Sequence, residues 1–357
     1  MRIVSPFLKK IVYPTLAMSG VFRRIAAEGL AVVTYHGVLP ERYKVIEPAL
    51  DGNLVTAETF RRQLRCLKSH YNVISPADVL AWLQGERPLP ARAVLLTCDD
   101  GLLNNLTEML PILQQENLQC LFFVTGISTN NASDENRGML WYEKMFLLLL
   151  QTSVAHFEIG SSGITISGEL GIGDQRRSAW WSLVKRLSQV DAETRESLLS
   201  SLSEQLASSS WRAFDTSDAI SSRRFGLMTS DALRQLATAG MTIGAHTLSH
   251  PMLSQLPLDV ARAEIADSRV KLETVLSAKV WAFAYPFGDP ESVAPQVLEM
   301  PEAAGYSAAF LNYGGGLGAS LPRFALPRIH VTAEMSPAEL EAHVSGLHTQ
   351  LQRSLRR

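Results

Sequence analysis

Two adjacent acidic residues, Asp99 and Asp100, stand directly after an unbroken apolar run and directly before Gly101. The run from Ala93 to Leu96 is typical of a strand that is buried on both faces in a parallel sheet. The carboxyl ends of such strands form the edge at which α/β folds place their functional sites. The two carboxylates therefore indicate either a reactive pair, with a separate task for each acid, or a plain strand-to-turn junction, since Asp and Gly are common in turns.

Two histidines, His246 and His250, follow a second predicted strand that runs from Met241 to Ala245. Histidines four positions apart lie on one side of a helical turn and can bind one metal ion. The pattern is weak alone, but the strand-end acids should lie at the same edge of the sheet. Two imidazoles and one carboxylate form an open metal site with positions left for water and substrate. A non-haem iron oxygenase uses the same donor set and stays an alternative at this point.

The composition is that of a globular protein with a large core, because 46% of the 357 residues are apolar and the formal net charge is −2. The absence of a dense basic block argues against nucleic acid as the main partner. The cysteines Cys66, Cys98 and Cys120 show no Cys-x-x-Cys spacing. An odd number of cysteines favours a reducing compartment over a disulfide framework.

Alternating strands and helices are predicted around the acids and histidines. Further buried strands are expected at residues 31–35, 119–125 and 280–284. Apolar residues at helical spacing lie between these strands, and this alternation of strands and helices is the order of a parallel sheet. An α/β barrel can use this much chain as one domain. Residues 127–226 break the alternation and are predicted to be a mostly helical insertion. A single C-terminal helix is predicted over residues 336–357.

The first 30 residues contain a short apolar segment, Ile11 to Phe22, preceded by Lys9 and Lys10. It is too short to span a bilayer, which takes about 20 residues, and Pro14 interrupts it. We predict that residues 1–30 form an amphipathic or packing segment with peripheral membrane contact. A cleaved signal or a short anchor is the alternative. The expected location is cytoplasmic or membrane-peripheral rather than exported.

Two segments together resemble the motifs of a known family. Thr97-Cys98-Asp99-Asp100-Gly101 resembles the Thr-Phe-Asp-Asp-Gly motif of the polysaccharide deacetylases, carbohydrate esterase family four with the NodB-type homology domain. His246-Thr247-Leu248-Ser249-His250 is similar to the His-Ser/Thr-x-x-His motif of that family. The resemblance covers residues 31–335, except for the insertion. It implies a distorted (β/α) barrel.

The resemblance also implies roles for these four residues. Asp99 would be the general base, and Asp100, His246 and His250 would be the metal ligands. The family uses Zn²⁺ or another divalent ion, so Co²⁺, Ni²⁺, Mn²⁺ and Fe²⁺ are alternatives. Such an ion lowers the pKa of bound water and polarises an amide carbonyl.

A third segment departs from the family pattern. Ala284-Tyr285-Pro286-Phe287-Gly288 has an alanine where relatives carry the arginine that orients the base. Arg328, at the end of a later predicted strand, is the candidate replacement, and a surface arginine paired with an acid is the alternative. The backbone N–H of Phe287 is the expected oxyanion contact, since that role needs no particular side chain.

The general acid has two candidates in the sequence. His36 ends a predicted strand, as the other site residues do, and is favoured over His330.

Asn105 resembles a family asparagine that braces the acid motif, and an ordinary polar residue of the first helical turn is the alternative. Tyr285 and Trp141 are candidate contacts for a sugar ring.

These observations predict a metal-dependent N-deacetylase that hydrolyses the acetamide of an N-acetylhexosamine in a polysaccharide or a lipid-linked glycan. The substrate partner is therefore a carbohydrate. A catalytically weak or inactive carbohydrate-binding relative is the alternative, which the alanine at the arginine position favours.

Overall fold

The computed structural model describes residues 6–25, 29–129, 138–161, 163–171, 173–206, 218–315 and 322–354. Parts of the predicted N-terminal segment (1–5 and 26–28), of the insertion (130–137 and 207–217 among them) and of the C-terminal helix (355–357) lie outside the described residues. The strands in chain order are β1 (Leu30–Tyr35), β2 (Asn72–Ile74), β3 (Ala93–Cys98), β4 (Leu121–Val124), β5 (His156–Ser161), β6 (Ile164–Glu169), β7 (Thr242–Ala245), β8 (Ala282–Ala284), β9 (Ala308–Gly314) and β10 (Leu326–His330).

The helices surround these strands. They are α1 (Tyr13–Met18), α2 (Val21–Ile25), α3 (Pro48–Asp51), α4 (Ala57–His70), α5 (Pro76–Leu83), α6 (Leu110–Gln115), α7 (Trp141–Gln151), α8 (Gly173–Leu187), α9 (Ala192–Leu206), α10 (Ala219–Phe225), α11 (Ser230–Thr238), α12 (Leu258–Leu276), α13 (Met300–Ala303), α14 (Pro337–Val344) and α15 (Leu347–Ser354). Segments with π-helical hydrogen bonding, Leu8–Val12 and Asn105–Met109, lead into α1 and α6. Within the described residues, short 3₁₀ turns lie at Gly126–Thr129, Leu253–Gln255 and Pro295–Val297.

Seven parallel strands close into a barrel in the order β1-β3-β4-β7-β8-β9-β10, with β10 paired back to β1. The additional strand β2 pairs with the first half of β3, whereas β4 pairs with the last two residues of β3. This architecture confirms the predicted distorted (β/α) barrel. The register sets Tyr35 opposite Cys98 and Thr34 opposite His330, so the residues after β1, β3 and β10 meet at one end of the barrel.

Side chains alternate along each strand between the barrel interior and the surrounding helices. Leu95, Phe123 and Phe310 belong to an interior cluster, which explains why the strands are apolar on both faces. Val33 and Leu96 belong to a larger cluster that packs under the helices. Only every second residue of a strand therefore points into the barrel interior, and its neighbours point out toward the helices.

The described part of the insertion between β4 and α11 forms its own packed layer of the helices α7 to α10 and the antiparallel hairpin β5–β6. Its core contains Phe146, Phe157 and Trp180, together with leucines of α8 and α9. Phe146 and Trp180 stack with ring centroids 4.4 Å apart. The layer therefore has a core of its own beside the barrel.

The N-terminal segment packs against the C-terminal helices. Tyr13 and Phe22 are fully buried, the Tyr13 hydroxyl lies 2.7 Å from His348 Nδ1, and Lys9 Nζ lies 3.0 Å from a carboxylate oxygen of Glu339. Phe7, Ile11 and Met18 remain exposed, and membrane contact through them stays a prediction. Among the described helices, none has both the length and the apolar character that crossing a bilayer requires.

The predicted single C-terminal helix is wrong in one respect. The chain forms two helices, α14 and α15, which are separated at Ser345 and Gly346. Gly346 has a φ of +80°, a left-handed conformation that favours glycine and ends the helix.

Candidate active site

The three predicted metal ligands, Asp100, His246 and His250, converge at the carboxyl ends of β3 and β7. Asp100 Oδ1 lies 3.6 Å from His246 Nε2 and 3.3 Å from His250 Nε2. All three side chains are buried. One carboxylate oxygen and two imidazole nitrogens thus face one another, which is the arrangement that an open three-ligand site requires.

The His246 ring is held in the form that a metal ligand needs. Its Nδ1 lies 2.7 Å from the carbonyl oxygen of Ala284, which can only accept, so Nδ1 carries the proton. Its Nε2 lone pair is therefore free on the side that faces Asp100. Burial lowers the pKa of His246 to about 4, so the ring is neutral near pH 7.

The segment from His246 to His250 is a loop and not the helical turn that the spacing predicted. Thr247 and His250 both have positive φ values, +63° and +55°, which non-glycine residues rarely adopt. These two conformations fold the loop so that both rings reach Asp100. The Thr247 hydroxyl oxygen accepts a hydrogen bond from the His250 backbone N–H at 3.1 Å and helps to hold this shape.

Glu264 of α12 braces the same loop, and the sequence analysis missed it. Its carboxylate accepts hydrogen bonds from the backbone N–H groups of Leu248 at 2.8 Å and Ser249 at 2.9 Å, and from the Ser249 hydroxyl at 2.6 Å. A signal was present, because Glu264 lies on the helix face that carries Ala261 and Ile265. An acid on the buried face of a helix needs a partner.

Asp99 and Arg328 form a buried ion pair beside the ligands. Arg328 Nη1 and Nη2 donate to the two carboxylate oxygens of Asp99 at 2.7 and 2.6 Å, and Arg328 Nε donates to the carbonyl of Leu311 at 2.6 Å. Burial raises the pKa of the Asp99 carboxyl, but the charge and hydrogen bonds of Arg328 outweigh burial and hold that pKa below its ordinary value. Asp99 is therefore ionised near neutral pH.

Both candidate acids lie at this end of the barrel, and their ring centroids are 4.8 Å apart. His330 has both ring nitrogens near amide oxygens, at 3.2 Å from Asn312 Oδ1 and 3.1 Å from Asn53 Oδ1. The Nδ1 of His36 is buried and has no hydrogen-bond partner among the described residues. His330 is therefore held from two sides, whereas His36 keeps one ring nitrogen uncommitted.

Tyr285 does not lie where a sugar contact would be. It is fully buried in the cluster under the helices, and its hydroxyl donates to the Phe324 carbonyl at 2.9 Å. The prediction that Tyr285 binds substrate is corrected on this ground. The physical reason is strand parity, because Ala284 points into the barrel and its neighbour must point out.

Phe287 lies beside the ligand cluster with a φ of +60°. Its ring centroid is 5.1 Å from that of His250 and 6.1 Å from that of Tyr142. Its backbone N–H makes no hydrogen bond to a described residue. The donor is thus available, as an oxyanion contact requires.

Trp141 and Tyr142, at the start of α7, bring the insertion to the site. Trp141 is buried, and its indole N–H donates to the His250 carbonyl at 3.2 Å. The prediction that Trp141 contacts a sugar ring is therefore corrected, because the buried side chain braces the histidine loop instead. The Tyr142 hydroxyl donates to Asp100 Oδ2 at 3.4 Å, on the carboxylate oxygen away from the histidines.

Asn105 acts on the loop after β1 through its neighbour. Its side-chain amide donates to Asn104 Oδ1 at 3.2 Å, and the same oxygen accepts from the Val38 backbone N–H at 3.2 Å. A Cβ atom at Gly37 would lie 2.1 Å from Asn104 Oδ1, so only glycine fits there. The two asparagines therefore fix the turn that follows His36, and the sequence analysis did not single out Asn104.

The donor set fits a divalent ion. Two neutral imidazoles and an ionised carboxylate leave one positive charge on a bound dication and suit zinc and its neighbours. Burial raises the pKa of Asp100, but the hydrogen bond with His250 leads the effects that hold it well below its ordinary value. Asp100, His246 and His250 would therefore be the residues that hold the ion.

Comparison with known proteins agrees with this arrangement. Residues 206–309 match the model of the family "Polysaccharide deacetylase", and this range contains His246, His250 and Phe287 but not the Asp pair. YxkH of Bacillus subtilis (strain 168), named "Putative polysaccharide deacetylase", is 23% identical over 120 residues, which are 34% of this chain and 42% of YxkH. The matched segment thus spans less than half of that relative.

Solved structures of deacetylases share the fold. The deacetylase PplD of Streptococcus pyogenes, in complex with acetate, is 18% identical and superimposes with a TM-score of 0.53 over 88% of this chain and 98% of PplD. IcaB of Ammonifex degensii gives 18% identity and a TM-score of 0.52 over 89% and 98% of the two chains. A de-N-acetylase of Aggregatibacter actinomycetemcomitans gives 13% identity and a TM-score of 0.55 over 88% and 99%.

The fold and the site together define a (β/α)-barrel protein with a three-ligand site at the carboxyl ends of its strands. Residues 206–309 resemble the polysaccharide deacetylase family, and the fold is shared with solved deacetylases over 88–89% of the chain.

Proposed function

We propose that the protein is a metal-dependent N-deacetylase that hydrolyses the acetamide of an N-acetylhexosamine in a polysaccharide or a lipid-linked glycan. The observation that carries this proposal is the adjacency of two differently supported acids. Asp99 is clamped by Arg328, and its neighbour Asp100 faces His246 and His250. One acid can therefore accept a proton while the other binds the ion.

The ion at Asp100, His246 and His250, for which Zn²⁺ is the first candidate, would polarise the amide carbonyl and make a water molecule acidic. Asp99 accepts the proton of the attacking water, since each carboxylate oxygen can still accept a second hydrogen bond. Arg328 orients Asp99 and keeps it ionised. The N–H of Phe287 donates to the carbonyl oxygen as negative charge develops there.

The leaving amine must be protonated before the carbon–nitrogen bond breaks. His36 is the proposed donor, because its ring lies at the same barrel end and keeps an uncommitted nitrogen. His330 is the alternative. The products are acetate and a hexosamine with a free amino group. The acetate complex of PplD and the name of the Aggregatibacter de-N-acetylase support these products.

The carbohydrate would enter beside Tyr142 and Phe287, whose rings lie next to His250. Aromatic faces of this kind suit the apolar face of a sugar ring. We propose a cytoplasmic or membrane-peripheral role in glycan synthesis.

Acetate release and new free amines would test the proposal. The protein, loaded with Zn²⁺ or Co²⁺, would be screened against N-acetylhexosamine oligomers and nucleotide-linked and lipid-linked N-acetylhexosamines. We expect Asp99→Asn to lower the rate roughly 10²- to 10⁴-fold, the usual contribution of a general base. Asp174→Asn, which changes a carboxylate on the surface of the insertion, is the matched control and should match wild type.

Three results would contradict the proposal. Wild-type release that persists unchanged in Asp99→Asn would show that Asp99 is not the base. Binding of these sugars without acetate release under any metal would favour the carbohydrate-binding alternative, and tightly held iron with oxygen consumption would favour an oxygenase.

A further inference from the structure

A second group of metal-ligating side chains lies away from the active site. Cys66 and His70 are one helical turn apart on α4, and Glu341 faces them from α14. His70 is the last residue of α4 and precedes the start of β2, so the group lies toward the end of the barrel opposite the proposed active site.

The ligand atoms of the three side chains lie within reach of a single ion. Cys66 Sγ lies 3.9 Å from His70 Nδ1 and 3.9 Å from Glu341 Oε2, and His70 Nδ1 lies 2.9 Å from Glu341 Oε1. Ligands at the usual zinc bond lengths stand roughly 3.3 to 3.6 Å apart in a tetrahedron. One ligand atom from each of the three residues lies within 4.8 Å of the others, so side-chain movements would bring them onto one ion.

The group is polar, buried and incompletely satisfied. The side chain of Glu341 is 2% exposed. Its Oε1 lies 2.9 Å from His70 Nδ1 but accepts no well-aligned hydrogen bond from a described residue. The Tyr71 hydroxyl is also buried without a hydrogen-bond partner among the described residues. A buried carboxylate with an unmet oxygen is costly unless a cation approaches it.

We propose that Cys66, His70 and Glu341 form a second metal site, which binds one thiophilic divalent cation such as Zn²⁺. A thiolate and a carboxylate would balance the charge of the dication, and the neutral imidazole would supply the third bond. Cys66 and His70 are partly exposed, so water can complete the coordination. This site does not depend on the proposed deacetylase activity.

The ion would join two helices that are far apart in the sequence. α14 also holds the N-terminal segment, through the contact of Lys9 with Glu339 and the packing of Tyr13. The expected effect is therefore stabilisation of the layer formed by α1, α4 and α14. The thiol of Cys66 would release its proton when it binds the ion, because the thiolate is the form that bonds to a metal.

Cobalt titration would test the site, because a cobalt–thiolate bond has a near-ultraviolet charge-transfer absorption that imidazole and carboxylate ligands lack. The test uses the full chain with His246→Ala and His250→Ala, which removes the histidines of the first site. We expect one equivalent of Co²⁺ to give the thiolate absorption. The absorption should vanish with Cys66→Ser and weaken with His70→Gln, and it should persist in Cys120→Ala, the matched control at a buried cysteine.

A second readout separates loss of the site from loss of the fold. In the same background, saturating Zn²⁺ should raise the melting temperature by roughly 3 °C, and this rise should disappear with Cys66→Ser. The proposal is overturned if no thiolate absorption forms, if it persists in Cys66→Ser, or if Zn²⁺ shifts the melting temperature equally with and without Cys66. Circular dichroism would establish that each variant is folded, and Cys66→Ser made alone in the wild-type chain should leave acetate release unchanged.

Discussion

Asp99 depends on an arginine that lies 229 positions away in the sequence. Burial alone would favour the protonated acid, and the two hydrogen bonds from Arg328 reverse that preference. A single charge-assisted pair of this kind is sensitive to geometry, since the planar guanidinium meets both carboxylate oxygens at once. The reactivity of Asp99 is thus a property of the pair.

Arg328→Lys should keep the charge but lose the two-pronged contact. We expect the rate to fall roughly 10- to 100-fold, since lysine does not replace arginine at a bidentate site. Arg328→Met should also raise the pKa of Asp99, so the acidic limb of the kcat/KM profile should move to higher pH. The pH profiles of both variants would be compared with that of Arg323→Met, an exposed arginine near the same strand. An unshifted acidic limb in Arg328→Met would show that Arg328 does not tune Asp99.

The two histidines at the barrel end should differ in their kinetic effects. We expect His36→Ala to lower kcat about 10²- to 10⁴-fold, as loss of a general acid does. His330→Ala should cost less, because His330 is held by Asn53 and Asn312 and acts by packing against His36. The rates of His36→Ala and His330→Ala, measured on the same substrate, would test this difference. Full activity in His36→Ala together with loss in His330→Ala would reverse the two roles.

At the scale of elements, the histidine loop is set by what packs on it. The loop takes two left-handed non-glycine conformations, and Glu264, Trp141 and Arg195 hold it from α12, α7 and α9. Arg195 donates to the Ser249 hydroxyl at 2.6 Å and to its carbonyl at 3.2 Å. The insertion therefore supports the loop that carries two of the predicted metal ligands, in addition to forming its own layer.

Glu264→Gln should loosen this loop, since an amide cannot accept the three hydrogen bonds that the carboxylate accepts. We expect the metal affinity of the Asp100–His246–His250 site to fall roughly 10- to 100-fold, in line with the loss of outer contacts at other metal sites. Competition with a chromophoric chelator would measure it. Asp267→Asn, an exposed acid on the same helix, is the control. Equal affinity in both variants would remove Glu264 from the support of the site.

At the scale of the whole molecule, the N-terminal segment and the C-terminal helices close the structure through titratable groups. The rings of His343 and His348 stack with centroids 3.8 Å apart, and His348 contacts the Tyr13 hydroxyl. Burial, then the His348 charge, lowers the pKa of His343 to about 3, and burial followed by the Lys9 charge lowers that of His348. Both rings are therefore neutral in the folded protein.

Acid should destabilise this layer. The folded-state pKa of His343 is depressed below its unfolded value of about 6.5, so its stabilisation is complete above that pH and is lost as the pH falls toward about 3. Between pH 7 and pH 5 we expect a loss of about 1–2 kcal/mol in the free energy of unfolding. His343→Gln should lose less over the same interval in urea titrations. His156→Gln, at an exposed histidine, should behave as wild type, and an equal loss in all three proteins would contradict this assignment.

Much of the site was readable from the sequence because its signals are local. The apolar runs that end at Asp99 and at His246 mark strand ends, and parallel strands bring their carboxyl ends to one edge whatever lies between them. The barrel followed from the same alternation and from the family resemblance. Tyr285 was misplaced, although the parity of β8 contained the information that it points outward.

The sequence by itself determined the buried strands, the barrel and the Asp and His residues at its edge, because residue type and spacing within one segment decide these features. Only the tertiary structure decided that Arg328 reaches Asp99, that Glu264 holds the histidine loop and that Cys66 and His70 face Glu341. These contacts join residues from distant elements, and closure of the barrel and packing of its helices bring them together. The backbone conformation of the histidine loop was likewise decided only by the tertiary structure, because hydrogen bonds from elsewhere in the chain stabilise it.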